Sequence, residues 1–288
     1  MTLAEAIGAA TGAPFVPAVR HAIGGGDINQ AEMLVGRDGR RFFVKLNRAD
    51  RLDMFEAEAD GLDELHASGA IRVPVPICSG SEAGRAWLVL EYLDLDGRGE
   101  AAELGRRLAA LHRKSADRFG WWRANTIGAT HQANERLDDW LEFLRQRRLG
   151  FQLGLAQRNG APASLIDQGG HLLDRLNDLF PGYRPVPSLL HGDLWGGNYG
   201  YASGEPVLFD PAVYYGDREA DLAMTELFGG FPASFYDAYR EAWPLDDGYA
   251  TRKTLYNLYH VLNHFNLFGG SYAGQAERMV GRLLAECR

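Results

Sequence analysis

The first third of the chain alternates short apolar and β-branched runs with polar turns, a pattern typical of β-strands. Strand-like runs lie between residues 18 and 46, and the Asp38-Gly39 pair that separates two of them predicts a hairpin. Apolar residues then recur at helical spacing from Leu52 to Leu65. Residues 86–92 form an apolar run too short for a helix, which predicts a buried strand. The predicted order is therefore β-β-β-α-β-β.

Helical patterning dominates the chain after a polar, turn-prone stretch at residues 94–97. The segments that show it are Leu104–Leu111, Leu137–Arg148, Leu165–Phe180, Glu219–Phe228, Pro232–Trp243 and Arg252–Phe268. One β-prone segment, Leu189–Asp210, interrupts them with extended residues on either side of Ser203-Gly204. We predict an α+β fold with a β-rich N-terminal lobe over residues 1–93 and a helical C-terminal lobe over residues 94–288.

The composition is that of an ordinary globular protein. Apolar residues make up 46% and charged residues 24% of the chain, which excludes a disordered protein. The formal charge of −8 argues against nucleic acid as a partner. No apolar run approaches the roughly 20 residues that span a bilayer, and the N-terminus lacks the basic start of a signal peptide. The two cysteines, Cys78 and Cys287, cannot build a disulfide framework. These features predict a cytoplasmic protein that does not bind membranes.

The clearest chemical signal lies inside the β-prone interruption. The run His-Gly-Asp-Leu-Trp-Gly-Gly-Asn extends from His191 to Asn198, and Asp210 follows twelve residues later. Asp193, in a tight loop, can accept a proton from a hydroxyl group. Asn198 and Asp210 supply the hard oxygen ligands that Mg²⁺ prefers. These residue types suit phosphoryl transfer, in which the protein mainly positions the γ-phosphoryl group and neutralises its charge.

Upstream residues supply the other parts of such a site. Gly24, Gly25 and Gly26 fall at the turn of the first predicted hairpin, where their backbone N–H groups could approach a phosphate. Lys45, on the third predicted strand, can reach phosphates as a point charge. Glu58, on the following helix, is its expected anionic partner. The residues alone thus predict a kinase for a small hydroxyl compound.

The chain resembles the fructosamine kinase (ketosamine 3-kinase) family of the protein-kinase-like and aminoglycoside-phosphotransferase-like superfamily, nearly from end to end. The matching segments are Gly24–Gly26, Phe43–Arg48, Met54–Glu58, His191–Asn198, Asp210–Ala212, Tyr215–Gly216, Phe228–Pro232 and Leu262–Gly269. Trp195 and the Phe-Gly-Gly-Phe-Pro stretch from Phe228 narrow the resemblance to this branch. The resemblance implies a two-lobed protein-kinase-like fold with ATP and Mg²⁺ as cofactors.

The resemblance also implies a role for each matching residue. Asp193 would be the proton acceptor and Asn198 and Asp210 the magnesium ligands. Lys45 and Glu58 would form the pair that orients the phosphates.

Further implied roles concern adenine, the acceptor and the catalytic loop. The backbone of Glu91, Tyr92 and Leu93 matches the hinge that meets the adenine. Trp195 would stand beside the acceptor sugar. Asp221 sits where related phosphotransferases use a buried acid to brace the catalytic loop.

The implied activity is ATP-dependent phosphorylation of the 3-hydroxyl of a ketosamine, carried on a protein lysine or a free amine. The sugar, whether ribulosamine, erythrulosamine or fructosamine, stays open. In the family, the phosphate ester then eliminates and frees the amine, which initiates protein deglycation. An aminoglycoside- or choline-kinase-like phosphotransferase is the alternative, and a binding module without catalysis is the third. Trp195 favours a sugar ring, since a polycationic antibiotic needs many acidic groups near Asp193. Both monomer and homodimer stay open.

Two clusters of polar residues have simpler interpretations. His260 and His264 have the i, i+4 spacing of helical zinc ligands, but no third ligand is nearby in the sequence, so we predict no metal site there. His264 is kept as a candidate substrate contact. Arg145, Arg147 and Arg148 are predicted to form a solvated helix face.

Overall fold

The computed structural model of the chain describes residues 1–24 and 28–287. Its contacts divide the chain into two units. The first comprises Met1–Glu100 with Tyr199–Pro211, and the second comprises Ala101–Asn198 with Ala212–Arg288. The sequence-based division at residue 93 differs from this grouping in residues 94–100 and 199–211, and it stays a prediction of the lobe boundary.

The described residues among the first hundred form five strands and two α-helices. They are α1 (Leu3–Thr11), β1 (Pro17–Ile23), β2 (Gln30–Gly36), β3 (Arg41–Arg48), α2 (Leu52–Ala67), β4 (Pro76–Glu82) and β5 (Arg85–Glu91), with a short 3₁₀ turn at Ala49–Arg51. The strands make one antiparallel sheet in the order β1-β2-β3-β5-β4. The predicted order β-β-β-α-β-β is confirmed, with α1 added in front of it.

The remaining residues form mostly helices. In chain order they are α3 (Ala101–His112), β6 (Asn125–Ile127), β7 (Thr130–Gln132), α4 (Trp140–Phe143), α5 (Gly150–Arg158), α6 (Ala163–Asp174), β8 (Ser188–Leu190), β9 (Tyr199–Ala202), β10 (Glu205–Leu208), β11 (Tyr214–Gly216), α7 (Glu219–Leu227), α8 (Ala233–Ala242), α9 (Tyr249–Phe268) and α10 (Tyr272–Glu286). A π-helical segment, Leu144–Leu149, joins α4 to α5. The predicted extended residues around Ser203-Gly204 are confirmed as the antiparallel β9–β10 hairpin.

Helix α1 is held by caps that its sequence already contains. The Thr2 hydroxyl accepts a hydrogen bond from the backbone N–H of Glu5, and the Glu5 carboxylate accepts one from the backbone N–H of Thr2. Gly12 ends the helix at φ +72°, a conformation that glycine adopts at little cost. The apolar side of α1 is buried in the core of the first unit. That core contains Leu3, Ile7, Phe15, Leu34, Phe42, Val44, Trp87 and Val89.

The second unit is built around α9, whose buried residues occur all round the helix. It packs against α5, α7 and α10. A helix buried on most sides belongs to the interior of a helical domain. Within residues 1–24 and 28–287, the structure contains no helix of the length and apolarity needed to cross a membrane.

The prediction of a solvated arginine face is wrong for Arg148. This side chain is 1% exposed. Its guanidinium donates to the Asn134 Oδ1 atom at 2.7 Å and to the Ala133 carbonyl oxygen at 2.6 Å, and it lies 4.0 Å from the Tyr214 ring centroid. The π-helical segment that contains Arg148 inserts an extra residue per turn. A strict α-helical period therefore misplaces the faces of this helix.

Candidate active site

In the first unit, the structure brings Lys45, Glu58 and Asp210 into direct contact. Lys45 lies on β3, between Ala31 of β2 and Leu88 of β5. Its Nζ atom donates to Glu58 Oε1 at 2.5 Å and to Asp210 Oδ1 at 2.6 Å. The side chain of Lys45 is 7% exposed and that of Glu58 11%, whereas the side chain of Asp210 is 48% exposed. One buried cation is thus shared between a buried and a half-exposed carboxylate.

The charge of Lys45 is secured by its two partners. Burial alone would lower the pKa of Lys45, but the negative charges of Asp210 and Glu58 outweigh that effect and raise its pKa. Burial raises the pKa of Glu58, and the ion pair with Lys45 opposes this rise. Lys45 is therefore a fixed cation at neutral pH, held in one orientation by the carboxylates.

Asp210 has an unusual backbone conformation at the point where the β9–β10 hairpin ends. Its φ angle is +58°, in the left-handed region that non-glycine residues seldom adopt. Such a conformation costs about 1–3 kcal/mol, and aspartate tolerates it better than most residues. Strain of this kind tends to persist at functional sites, where it aims a side chain that a relaxed backbone would turn elsewhere.

In the second unit, β8 and β11 pair and β8 leads into the loop from His191 to Asn198, which we call the catalytic loop after the role that the resemblance implies. Asp221 accepts hydrogen bonds from the backbone N–H groups of His191 and Gly192 at 2.7 and 2.8 Å. It also accepts one from the His112 ring at 3.2 Å. Although burial alone would raise the pKa of Asp221, the hydrogen bond and charge of His112, together with the other partners, lower it. The bracing position that the resemblance implies for Asp221 is confirmed.

Asp193 and Asn198 lie together within the catalytic loop. The Asn198 side-chain nitrogen donates to the Asp193 carbonyl oxygen at 2.8 Å and lies 3.4 Å from the Asp193 carboxylate. The backbone N–H of Trp195 donates to the Asp193 carbonyl oxygen, and that of Asn198 donates to the Trp195 carbonyl oxygen. These bonds fold the loop into a tight turn and hold the Asp193 and Asn198 side chains close to each other.

Trp195 and His264 belong to one aromatic cluster, formed by Trp195, Phe228, His264, Phe268 and Tyr272. The Trp195 ring is 6.4 Å from that of Phe228, which in turn is 5.0 Å from the His264 ring. The Trp195 side chain covers Gly197, where any Cβ would lie 2.3 Å from the ring. Trp195 is 39% exposed and Phe228 41%. Phe228 thus lies between Trp195 and His264, the two predicted substrate contacts. The sequence marked Phe228 only as part of the Phe-Gly-Gly-Phe-Pro motif and did not predict this contact.

The remaining predicted nucleotide contacts are only partly described. Gly25 and Gly26 lie outside the described residues, and Gly24 is an exposed residue directly after β1. The segment Glu91, Tyr92 and Leu93 follows β5. The Glu91 carboxylate pairs with Arg72 and accepts from the Val75 backbone N–H, and the Tyr92 ring lies 4.8 Å from the Arg41 guanidinium.

We expect the buried His260 to make the stability of the chain depend on pH. Burial, with the charge of His264, lowers the pKa of His260 to about 3. The unfolded chain therefore binds one more proton than the folded chain between about pH 6.5 and pH 3, so stability falls as pH falls through this window.

Replacement of this histidine should remove that proton difference. Between pH 7 and pH 5, we expect the free energy of unfolding of the wild type to fall by about 2 kcal/mol more than that of His260→Gln. Denaturant unfolding of both proteins at the two pH values measures this difference. Equal decreases in the two proteins would show that His260 titrates normally in the folded state.

The chain is similar to known kinases over nearly its whole length. The sequence model described as fructosamine kinase matches residues 1–286. A protein of Synechocystis named as a probable ketoamine kinase is 49% identical over 288 residues, which cover 98% of this chain and 96% of that protein. The chloroplastic protein-ribulosamine 3-kinase of Arabidopsis thaliana is 43% identical over 263 residues, covering 90% of this chain and 80% of that protein.

A solved structure shows the same fold. The protein of Haemophilus somnus assigned as a fructosamine-3-kinase superposes with a TM-score of 0.89 at 28% identity, and the match covers 98% of this chain and 97% of that one. The predicted fold class, α+β and kinase-like with an antiparallel N-terminal sheet and a mostly helical C-terminal part, is confirmed.

Proposed function

Because the chain belongs to the fructosamine kinase family and is thus a phosphotransferase, we propose that it phosphorylates the 3-hydroxyl of a ketosamine with ATP and Mg²⁺. The observation that carries this proposal is the contact of Lys45 with both Glu58 and Asp210. Two carboxylates fix the charge and the orientation of this buried lysine, so that its ammonium group can bind phosphate oxygens. The substrate class is supported by the relatives, of which one is named a ketoamine kinase and another a protein-ribulosamine 3-kinase.

The donor chemistry of the Asn198 and Asp210 side chains suits magnesium. Both side chains offer oxygen, the ligand that Mg²⁺ requires. Because the Asn198 nitrogen donates to Asp193, the amide oxygen is the atom of that side chain that would bind the ion. The carboxylate of Asp210 is half exposed and shares one oxygen with Lys45. When bound, the ion would neutralise charge on the phosphate oxygens.

Other residues of the chain would bind the phosphates, accept the proton and position the groups that do so. Lys45 binds and orients phosphate oxygens, and Glu58 holds the Lys45 rotamer. Asp193 accepts the proton of the 3-hydroxyl as that oxygen attacks the γ-phosphorus. Asn198 orients the Asp193 carboxylate, and Asp221 fixes the backbone that carries it. The residues Gly24, Gly25, Gly26, Glu91, Tyr92 and Leu93 are proposed nucleotide contacts.

The product would be a ketosamine with a phosphate at carbon 3. Such an ester sits next to the ketone, which acidifies the neighbouring C–H bonds and promotes loss of phosphate. Loss of a proton from carbon 1 gives the enol, which expels phosphate from carbon 3 and leaves an imine. Water then hydrolyses the imine and releases the amine, so phosphorylation would initiate deglycation without enzymatic cleavage of the carbon–nitrogen bond. The acceptor would be an adduct on a protein lysine or a free amine.

A substrate panel tests the proposal. Magnesium-dependent ADP release should occur with ribulose-, erythrulose- or fructose-derived amines and stay at background with aminoglycosides and choline. Turnover confined to aminoglycosides or choline would instead support the alternative phosphotransferase. If no acceptor in the panel gives ADP release, the result would support a binding module without catalysis.

Trp195 provides a prediction about acceptor binding. Loss of the indole in Trp195→Ala should raise the KM for the ketosamine about 5-fold, because one aromatic contact contributes about 1 kcal/mol and 1.4 kcal/mol is tenfold in affinity. The KM for ATP should stay within about twofold.

A matched control is available in the same unit. Trp122 is also an exposed tryptophan, at 59%. Its replacement in Trp122→Ala should leave both KM values near those of the wild type. An unchanged ketosamine KM in Trp195→Ala would exclude Trp195 from the acceptor site.

A further inference from the structure

Three buried amides of the second unit have no part in the proposed chemistry. Asn125 is 7% exposed, and Gln132 and Asn134 are each 1% exposed. They come from β6, β7 and the segment after β7. The Asn125 Oδ1 atom accepts from Gln132 Nε2 and from Asn134 Nδ2, both at 2.8 Å. We call these three residues the amide network.

The amide network holds the backbone that follows Asp210. Asn125 donates to the Val213 carbonyl oxygen at 2.8 Å, and Gln132 donates to the Ala212 carbonyl oxygen at 3.2 Å. The Tyr259 hydroxyl donates to Gln132 Oε1 at 2.7 Å, which fixes the orientation of the Gln132 amide. A network of buried amides whose hydrogen bonds are satisfied makes the surrounding backbone rigid and specifies one arrangement of it.

The same backbone touches the catalytic loop. The N–H of Ala212 donates to the His191 carbonyl oxygen at 2.8 Å. Gly192, at φ +83°, packs so closely on Ala212 that a Cβ would lie 2.0 Å from the Ala212 carbonyl oxygen. That oxygen is the one to which Gln132 donates. A shift of Ala212 would therefore displace Gly192 and, with it, the next residue, Asp193.

Arg148 reinforces this arrangement. It donates to Asn134 Oδ1 at 2.7 Å, and its guanidinium lies 4.0 Å from the ring of Tyr214. Tyr214 on β11 pairs with Leu190 on β8, directly before His191. Arg148, which donates to the amide network, thus contacts β11, the strand that pairs with β8 directly before the catalytic loop.

We propose that the amide network, through Gln132, positions Asp193 for proton acceptance, a positioning role that rests on the proposed kinase function. Asp221 holds the backbone N–H groups of His191 and Gly192, and the amide network holds the Ala212 backbone on which the same two residues pack. Neither Gln132 nor Asn125 touches reacting atoms in this proposal. Their effect on rate passes through the backbone of the catalytic loop.

The substitution Gln132→Met keeps the length of the side chain and removes both hydrogen-bonding groups. We expect kcat to fall about 10- to 100-fold, because a misplacement of about 1 Å can cost 10²-fold in rate. The KM for ATP should stay within about twofold. The matched control is Thr225→Val in α7, which also removes buried hydrogen bonds, here those of the Thr225 hydroxyl to Leu222 and Tyr236. The control should lower the melting temperature but retain wild-type kcat.

A double-mutant cycle separates positioning from general destabilisation. If Gln132 acts through Asp193, the loss caused by Gln132→Met should shrink to less than about threefold in the Asp193→Asn background. An unchanged kcat in folded Gln132→Met, or the full loss in both backgrounds, would overturn the proposal.

Hydrogen exchange gives a readout that does not depend on activity. Amides of residues 188–194 should exchange faster in Gln132→Met than in the wild type, and at wild-type rates in Thr225→Val. Equal exchange in Gln132→Met and the wild type would overturn the proposal. If exchange is faster in Gln132→Met but the wild type does not phosphorylate any ketosamine, only the proposed kinase function is refuted. Should Gln132→Met fail to fold, Tyr259→Phe removes a single hydroxyl. It should lower kcat about 3- to 10-fold and speed the same exchange, and unchanged values would contradict the proposal.

Discussion

Asp193→Asn is expected to lower kcat by about 10² to 10⁴, the usual contribution of a general base. Asparagine keeps the size of the side chain and an oxygen that can accept from Asn198, so the catalytic loop should keep its shape. It cannot accept the proton of a hydroxyl. The KM for ATP should therefore stay within about twofold, as measured by steady-state kinetics with a ketosamine acceptor.

The control for this change is Asp167→Asn, an identical substitution at an exposed position of α6. It should leave kcat and both KM values unchanged. Intact turnover in Asp193→Asn would remove Asp193 from the role of proton acceptor, whatever the substrate proves to be.

Lys45→Met should weaken both nucleotide binding and rate, with kcat/KM for ATP reduced about 10²- to 10³-fold, comparable to the loss of one preorganised donor to a developing charge. Methionine fills a similar volume but removes the cation that Glu58 and Asp210 share. The two carboxylates would then repel one another and phosphate groups. In a thermal shift assay, ATP with Mg²⁺ should stabilise the wild type and have little effect on the variant.

Lys253→Met is the matched control. Lys253 also forms an ion pair, with Glu226 at 2.6 Å, but it lies on α9 in the second unit. This variant should show the wild-type response to ATP and unchanged kinetics. Unchanged kcat and KM for ATP in Lys45→Met would refute the assignment of Lys45 as the phosphate-binding lysine.

The parts of the fold that were predictable from the sequence are those that depend on local signals. The Asp38-Gly39 turn and the Ser203-Gly204 turn each lie between the two strands of a hairpin, as their residue types indicate. The contact between Lys45 and Glu58 was expected from their order on strand and helix, and the structure shows it. The functional roles of these residues stay predictions until they are tested.

Other features depend on partners that are distant in sequence. Helix α10 buries only a narrow stripe, Ala276, Val280 and Leu283, which is a weak periodic signal among charged residues. Arg148 looked like a surface residue because its partners, Asn134 and Tyr214, come from other elements.

The amide network was unpredictable for the same reason. Asn125 and Gln132 are ordinary polar residues in the sequence, and their buried amides donate to the carbonyl groups of residues 213 and 212, which are 88 and 80 positions away. Polar side chains acquire such roles from tertiary structure, which no local period reveals.

We propose that this chain transfers a phosphoryl group to the 3-hydroxyl of a ketosamine. The most direct measurement is ³¹P and ¹³C NMR of the product formed from ATP, Mg²⁺ and a ¹³C-labelled ribulose-derived amine. We expect a phosphate ester coupled to carbon 3, followed by release of inorganic phosphate and the free amine, and formation of this ester about 10²- to 10⁴-fold more slowly with Asp193→Asn. A phosphate found on another hydroxyl, or ATP left intact with ribulose-, erythrulose- and fructose-derived amines alike, would contradict the claim.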